Sequence, residues 1–454
     1  MVVMKFGGTS VKDASTIKNS ISIVKNKHRN AWVVVSALSG VTNLLVLICE
    51  ELKLGKIDKV NQICDELELK HLNLAEELGI SQSKIFVENY FNNLKTVFFA
   101  VNILGELTPK SMDLILASGE ILSSRIISDY CSNIGLNSLF VDSTQIISTD
   151  THYNAAEVDF DTSKSNIDYL LMQHSEIDYF ICGGFIGSDD KNNTTTLGRG
   201  GSDYTAAIIA WALSSEALEI WTDVDGILTS DPRMVKDAKI LTQVSYQEAA
   251  ELAYFGAKVL HPKTIYPAIS LDIPVYVLNS FNPLGSGTLI QKVSHTSNLI
   301  KSIAFRRDII LINIISNRML GAYGFLSKVF EVFKNAETSV DLVSTSEVSI
   351  SLTIDKTDKL ESIIEELSKF ALTEIYYKMA VISAIGDGIR DTSGIASRFF
   401  TIMKGINISL ITFGASEVNL SIVIHDDDLE SAVQLLHNEF FSNNINQDLF
   451  KEIK

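Results

Sequence analysis

Short, unbroken apolar runs alternate with amphipathic stretches over about the first 290 residues. Val2-Val3-Met4, Trp32-Val33-Val34-Val35, Leu139-Phe140-Val141, Tyr179-Phe180-Ile181 and Ile220-Trp221-Thr222 each have the length and character of a buried strand. Helical patterns separate them, which predicts an α/β unit with a largely parallel sheet sandwiched by helices. Residues 42–130 depart from the alternation. Their apolar positions recur every three or four residues with few breakers, and they are predicted to be mostly helical. The turn-rich residues 281–288 (FNPLGSGT) close this unit.

The C-terminal third has a different pattern, an internal repeat. Residues 324–354 align without a gap onto residues 394–424, with Ser-Glu-Val and several Gly, Ser, Phe and Ile positions in register. Each copy reads as a helix opened by glycine, a turn holding Ser339 or Ser409, and a strand pair around Ser-Glu-Val. Two copies are too few for a solenoid. Two small βαββαβ modules fit the pattern, with interleaving of strands near Ile303 and Val381 left open.

Composition narrows the function. With 454 residues, two or three domains are expected. A net charge of −17 argues against nucleic acid or an anionic membrane as partner. It also makes the few cations beside glycine turns (Lys5, Arg199, Arg233, Lys258) candidates for meeting an anionic ligand. The four cysteines show neither CxxC nor Cys/His ligand spacing, and no apolar stretch suffices to span a bilayer, so a soluble, cytoplasmic protein without a resident metal is expected.

Two glycine turns carry the chemistry. Gly7-Gly8-Thr9-Ser10 follows the first strand, with Lys5 at its mouth and a helix predicted over residues 11–24. Glycines let backbone N–H groups approach an anion, and a helix N-terminus adds partial positive charge. Gly198-Arg199-Gly200-Gly201-Ser202-Asp203 leads into a second helix, predicted over residues 204–213, where Asp203 reads either as an N-cap or as a functional acid. Neither GxxxxGK(S/T) nor GxGxxG occurs, so a P-loop or nicotinamide fold has no support.

KFGGTSV at 5–11, Ser118-Gly119-Glu120, TTTLGRGGSDYTAA at 194–207, WTDVDGI at 221–227, DPR at 231–233 and FGAKVLHP at 255–262 occur in one order. Together they resemble the aspartate kinases of the amino-acid kinase family, in their monofunctional, lysine-sensitive form, over essentially the whole chain. The resemblance implies an amino-acid kinase domain at 1–292 and two ACT modules at about 300–378 and 379–454 that join a homodimer. It implies transfer of the γ-phosphate of ATP to the β-carboxylate of L-aspartate, the opening step toward lysine, threonine and methionine. Lysine is the implied feedback inhibitor.

A carboxylate with a pKa near ~3.9 is ionised at neutral pH and attacks phosphorus without a general base, so charge stabilisation is the main requirement. By resemblance, Lys5 and Lys258 contact the transferring phosphoryl group and Asp203 orients them. Arg199 supplies the planar fork for the substrate's α-carboxylate, and Glu120, expected at the head of a helix, receives its ammonium. Ser36, Thr42, Thr196 and Ser202 match substrate-binding positions, Ser36 reading also as a strand-end cap. Gly7, Gly8, Thr9, Thr222, Asp223 and Arg233 match nucleotide positions together with Lys5 and Lys258. Leu228 replaces a tyrosine usual in the family, which removes an aromatic contact. Mg²⁺ is implied to arrive on ATP, held mainly by phosphates. His261 reads as a turn residue.

The lysine pocket implied by resemblance comprises Met319, Phe325, Leu326, Ser339, Val340, Asp341, Ser346 and Glu347. Only the first copy has a carboxylate at Asp341, since the second has Ile411 there. The rival readings are an amino-acid sensor with a degenerate kinase domain and a kinase for another amino acid, such as glutamate.

Overall fold

The computed structural model describes residues 1–255, 262–293, 299–316, 319, 323–441 and 450–451. Its chain forms two compact units, Met1–Ile227 with Val259–Lys292, and Leu228–Lys258 with Val293–Lys454.

The first unit begins β1 (Val2–Phe6), α1 (Ala14–Lys27), β2 (Ala31–Val35), then four consecutive helices: α2 (Val41–Lys53), α3 (Ile57–Glu77), α4 (Ser81–Leu104) and α5 (Pro109–Asn133). It continues β3 (Ser138–Val141), α6 (Ser143–Ile146), α7 (Phe160–Gln173), β4 (Tyr179–Gly183), β5 (Ile186–Ser188), β6 (Thr194–Thr196), α8 (Gly201–Ala212) and β7 (Leu218–Thr222). Residues 228–258 carry β8 (Ile240–Leu241), β9 (Gln243–Ser245) and α9 (Tyr246–Tyr254) and belong to the second unit. The chain then returns with α10 (Pro262–Ser270), β10 (Val275–Asn279) and β11 (Thr288–Gln291).

Strands β5 and β6 form a separate antiparallel pair, and the main sheet of the first unit has the strand order β3-β4-β2-β1-β7-β10-β11. All pair in parallel as far as β10, and β11 is antiparallel to it. Strands β1, β2, β4 and β7 bury nearly every side chain, as strands covered on both faces must. Trp32 stacks on Phe180 and Phe6 on Trp221 across neighbouring strands. From β1 the chain crosses to β2 on one side, whereas β7 is added on the other. The carboxyl end of β1 is therefore the switch point, where open α/β sheets bind ligands.

The second unit contains β12 (Ser302–Ile315), α11 (Phe325–Asn335), β13 (Val343–Thr345), β14 (Ser349–Asp355), α12 (Leu360–Ser368), β15 (Leu372–Ile385), α13 (Ile395–Ile402), β16 (Ile408–Phe413), β17 (Asn419–His425) and α14 (Leu429–Phe441). Its six-stranded antiparallel sheet has the order β13-β14-β12-β15-β17-β16. The two long strands interleave the repeats. The second half of β12 pairs with β14, while its first half, from Ser302 to Arg306, pairs only with the part of β15 that adjoins β17. A register break between Arg306 and Ile309 separates the halves, with Asp308 at φ +59° and Lys378 of β15 at φ +54°. Gly324 and Gly394, at φ +79° and +85°, open α11 and α13 as the repeat predicts. Ser409, expected in a turn, lies within β16, because that strand begins at Ile408.

Residues 228–258 are tied into this unit by a fully buried ion pair between Glu248 and Lys301 (2.6 Å) and by a bond from Asn419 Nδ2 to Glu251 (2.6 Å). Among the described residues no helix is long and apolar enough to cross a membrane.

Candidate active site

At the end of β1 the Gly7 N–H donates to the carbonyl of Trp221 on β7 (3.0 Å). Gly8 passes so close to Ala37 that a Cβ there would stand 3.0 Å from its carbonyl oxygen. The chain then makes one 3-10 turn, Gly8–Val11, and α1 starts only at Ala14. The helix predicted from residue 11 is delayed because Asp13 and Thr16 form a capping box: the Thr16 N–H donates to Asp13 Oδ1 (2.8 Å) and the Asp13 N–H to Thr16 Oγ1 (3.0 Å).

The second glycine turn works as expected but caps differently. Gly198 and Gly200 take φ +73° and +74°, and Gly200 is the N-cap of α8, which starts at Gly201 rather than Tyr204. Asp203 therefore lies inside the first turn and is not a cap. Its carboxylate faces β1, with Oδ1 2.7 Å from Lys5 Nζ, and both side chains are largely buried.

Glu120 is in the middle of α5, not at its head. Thr108 caps that helix by accepting from the Ser111 N–H (3.1 Å), Pro109 takes the first position, and the helix runs for 25 residues. Gly119 lets it press on the loop after β2, where a Cβ would lie 2.8 Å from Ala37 Cβ. Met112, Leu116 and Glu120, at helical spacing of four, share one face.

These elements enclose a cavity of about 440 Å³ lined by Lys5, Ser36, Thr42, Glu120, Thr196, Arg199, Ser202 and Asp203. Lys258 and His261 lie outside the described residues. Burial raises the Glu120 carboxyl from 4.5 to about 7, partly offset by the Ala37 N–H and the charge of Lys5. Its Oε2 is buried with no hydrogen-bond partner among the described residues, so this face of the cavity favours a cation. Arg199 stands exposed at the rim, and among the described residues no ion pair restrains it.

Sequence reasoning missed three contributors. Asn154 and Phe185 line the same cavity, and Asp113 lies behind it, fully buried, bonded to Asn154 and Thr196. Phe185 adopts φ +70°, between close-packed glycines: a Cβ on Gly184 would meet Ser202 Cα at 2.5 Å, and one on Gly201 would meet Phe185 Cδ2 at 2.6 Å. The pair Gly183-Gly184 after a buried strand was the available signal. Asp113 left none, being one acidic residue in an amphipathic helix.

Thr222 and Asp223 sit at the carboxyl end of β7, beside β1, with Thr222 Oγ1 donating to Asp223 Oδ1 (3.2 Å). Leu228 and Arg233 belong to the second unit. There the Leu228 carbonyl accepts from Ser302 Oγ (3.0 Å), and Arg233 is exposed and forked onto Asp231.

Also in the second unit, Asp341 is engaged. Its carboxylate accepts the Tyr254 hydroxyl and lies 3.3 Å from Arg306 Nη1, whose guanidinium also reaches Asp355 and stacks over the Tyr254 ring. Ser346 shapes the β13–β14 turn by accepting the Ser349 N–H (3.1 Å). Met319, Phe325 and Val340 pack against the core of the first repeat, while Leu326, Ser339 and Glu347 are exposed.

A glycine-turned, cation-bearing crevice at the switch point of a parallel sheet, in a chain that also carries a repeated βαββαβ module, suits a phosphotransferase with a regulatory region. The chain belongs to the amino acid kinase family, whose model matches residues 1–279, with ACT domains at 312–364 and 382–440, and within it to the aspartokinases. It is 36% identical to the lysine-sensitive aspartokinase 3 of Escherichia coli over 97% of this chain and 99% of that one. It is 37% identical to the chloroplastic aspartokinase 1 of Arabidopsis thaliana over 97% and 80%. The structure of E. coli aspartokinase III with aspartate and ADP (R-state) superposes with a TM-score of 0.84, covering 97% of this chain and 100% of that one. The same enzyme with lysine and aspartate (T-state) gives 0.83, covering 97% and 99%. The chain is an ATP-dependent kinase.

Proposed function

We propose that this chain phosphorylates L-aspartate at its β-carboxylate and is inhibited by lysine. The observation that carries the reading is the convergence, in one cavity, of a buried carboxylate (Glu120) whose Oε2 has no partner among the described residues, a guanidinium at the rim (Arg199) without an ion pair among them, and a Lys5–Asp203 pair. Glu120 takes the substrate ammonium and Arg199 its α-carboxylate, while Ser36, Thr42, Thr196 and Ser202 supply hydroxyls. Lys5, held by Asp203, neutralises charge on the transferring phosphoryl group. A β-carboxylate oxygen attacks the γ-phosphorus, the bond to ADP breaks, and 4-phospho-L-aspartate results. Lys5, Gly7, Gly8, Thr9, Thr222 and Asp223 are assigned to ATP in the first unit. Mg²⁺ is assigned to ATP, held mainly through its phosphates.

Lysine is assigned to the pocket at Asp341, where its ammonium must compete with Arg306 and Tyr254. Assembly into a dimer through the ACT sheet is supported by the exposed apolar side chains of Leu326 and Phe330 on α11 and of Ile411 and Phe413 on the edge strand β16. A cytoplasmic location is supported by four free, buried cysteines. The test is ADP release coupled to a reporter, with aspartate, glutamate or no acceptor, each with and without lysine or threonine. Aspartate-dependent release suppressed by lysine is expected. Release that ignores aspartate would overturn the reading, and inhibition by threonine alone would overturn the choice of effector.

A further inference from the structure

Asp113 lies two helical turns before Glu120 on α5 and is wholly removed from solvent. Every hydrogen bond it makes among the described residues is one it accepts. The Asn154 N–H donates to both carboxylate oxygens (3.0 Å each), the Thr196 N–H to Oδ2 (3.0 Å) and the Thr196 hydroxyl to Oδ1 (2.6 Å). Burial raises this carboxyl, and the three donors oppose the rise. Asn154 sits at φ +72°, and its loop is tied again to β6 by the bond from the Ala156 N–H to the Thr196 carbonyl (2.9 Å).

A threonine hydroxyl has one proton to give. Thr196 gives it to Asp113, so any further contact its oxygen makes is through a lone pair, and Thr196 and Glu120 line the same cavity. Glu120 Oε2 is likewise an acceptor without a partner among the described residues. We propose that Asp113 is a positioning residue that fixes the polarity of the Thr196 hydroxyl, so that Thr196 and Glu120 together select a protonated α-amino group. This rests on the reading of the cavity as the aspartate site. Asparagine at position 113 can donate its amide to Thr196 Oγ1. That reverses the hydroxyl, which then points its proton at the substrate ammonium.

The test compares aspartate with succinate, which has both carboxylates and no ammonium. Wild-type turnover with aspartate is measured first, and its absence would overturn the site reading and this inference with it. Asp113→Asn should raise the KM for aspartate at least ~10-fold, on the scale of a hydrogen bond to a charged group. The succinate inhibition constant and the KM for ATP should stay within about 2-fold, below what one such bond is worth. Thr196→Val should show the same selective loss, Thr196→Ser should restore aspartate affinity, and the double variant should be no worse than Thr196→Val alone. Equal weakening of aspartate and succinate, or additive losses in the double variant, would reduce Asp113 to a structural role. Should Asp113→Asn fail to fold, the Thr196 pair decides: an unchanged aspartate-to-succinate ratio in Thr196→Val overturns the proposal.

Discussion

Glu120 carries a stability cost that its substitution exposes. Its carboxyl is raised from 4.5 to about 7 in the ligand-free protein, chiefly by burial. Its side chain is buried, so solvent screens little of the effect. A shift of that size, at about 1.4 kcal/mol per pKa unit, corresponds to roughly 3 kcal/mol. The sign follows from proton linkage. Between the unfolded and folded pKa values the native state holds the proton that the unfolded state has lost, so stability falls as pH rises through this window. Below the unfolded value the cost is absent, and above about pH 7 it is fully present. Glu120→Gln, nearly the same shape without the charge, should thus gain on wild type with pH, by roughly 2–3 kcal/mol between pH 5 and pH 8.

The assay is urea unfolding of wild type and Glu120→Gln at intervals from about pH 5 to pH 8.5, bracketing the two pKa values. Only the pH dependence of the difference is read, since the amide changes packing at every pH alike. The companion measurement is kcat/KM for aspartate, which should rise through an ionisation near pH 7 in wild type. In Glu120→Gln that limb should vanish and aspartate should bind far more weakly. A stability difference that is flat with pH, or a kcat/KM limb that survives in the variant, would refute the assignment of the raised carboxyl to Glu120. A stabilised, poorly binding variant is the outcome expected of a site that stores unfavourable burial for use on a ligand.

Lys5→Ala should lower kcat at least ~100-fold, as loss of one preorganised charge does in a water-poor site. Its aspartate KM should change little, and steady-state rates against both substrates check this. Lys258→Ala should match it. Arg199→Lys should weaken aspartate binding by ~1–3 kcal/mol, read in the KM for aspartate, because the charge remains while the planar fork is lost. Asp341→Ala should keep kinase activity and lose lysine inhibition, whereas Ile411→Ala should stay inhibitable, as inhibition curves at fixed aspartate will show.

What was legible in the sequence follows from how far its signals reach. The buried strands declared themselves because a run such as Trp32-Val33-Val34-Val35 is apolar on both faces, and the repeat fixed both glycine-capped helices of the regulatory region. The cavity's wall was legible where chemistry is concentrated in a few adjacent residues, as at 198–203, and at Lys5. Errors arose where local rules met tertiary ones. The second helix was expected from Tyr204 and begins at Gly201, since Gly200 takes the cap at φ +74°; Asp203, open between cap and functional acid, is not the cap and pairs with Lys5. Glu120 looks like a helix start because Ser118-Gly119 precedes it, but the glycine is there for the approach of Ala37 within a long helix. Asp113 and Tyr254 were silent for a deeper reason. Each acts on a residue far along the chain, Thr196 and Asp341 respectively, and no periodicity records such a partner. The sequence names the groups proposed to meet a ligand, because their chemistry is unusual in place. The groups that decide which way those side chains point are ordinary acids and phenols, and only the folded chain singles them out.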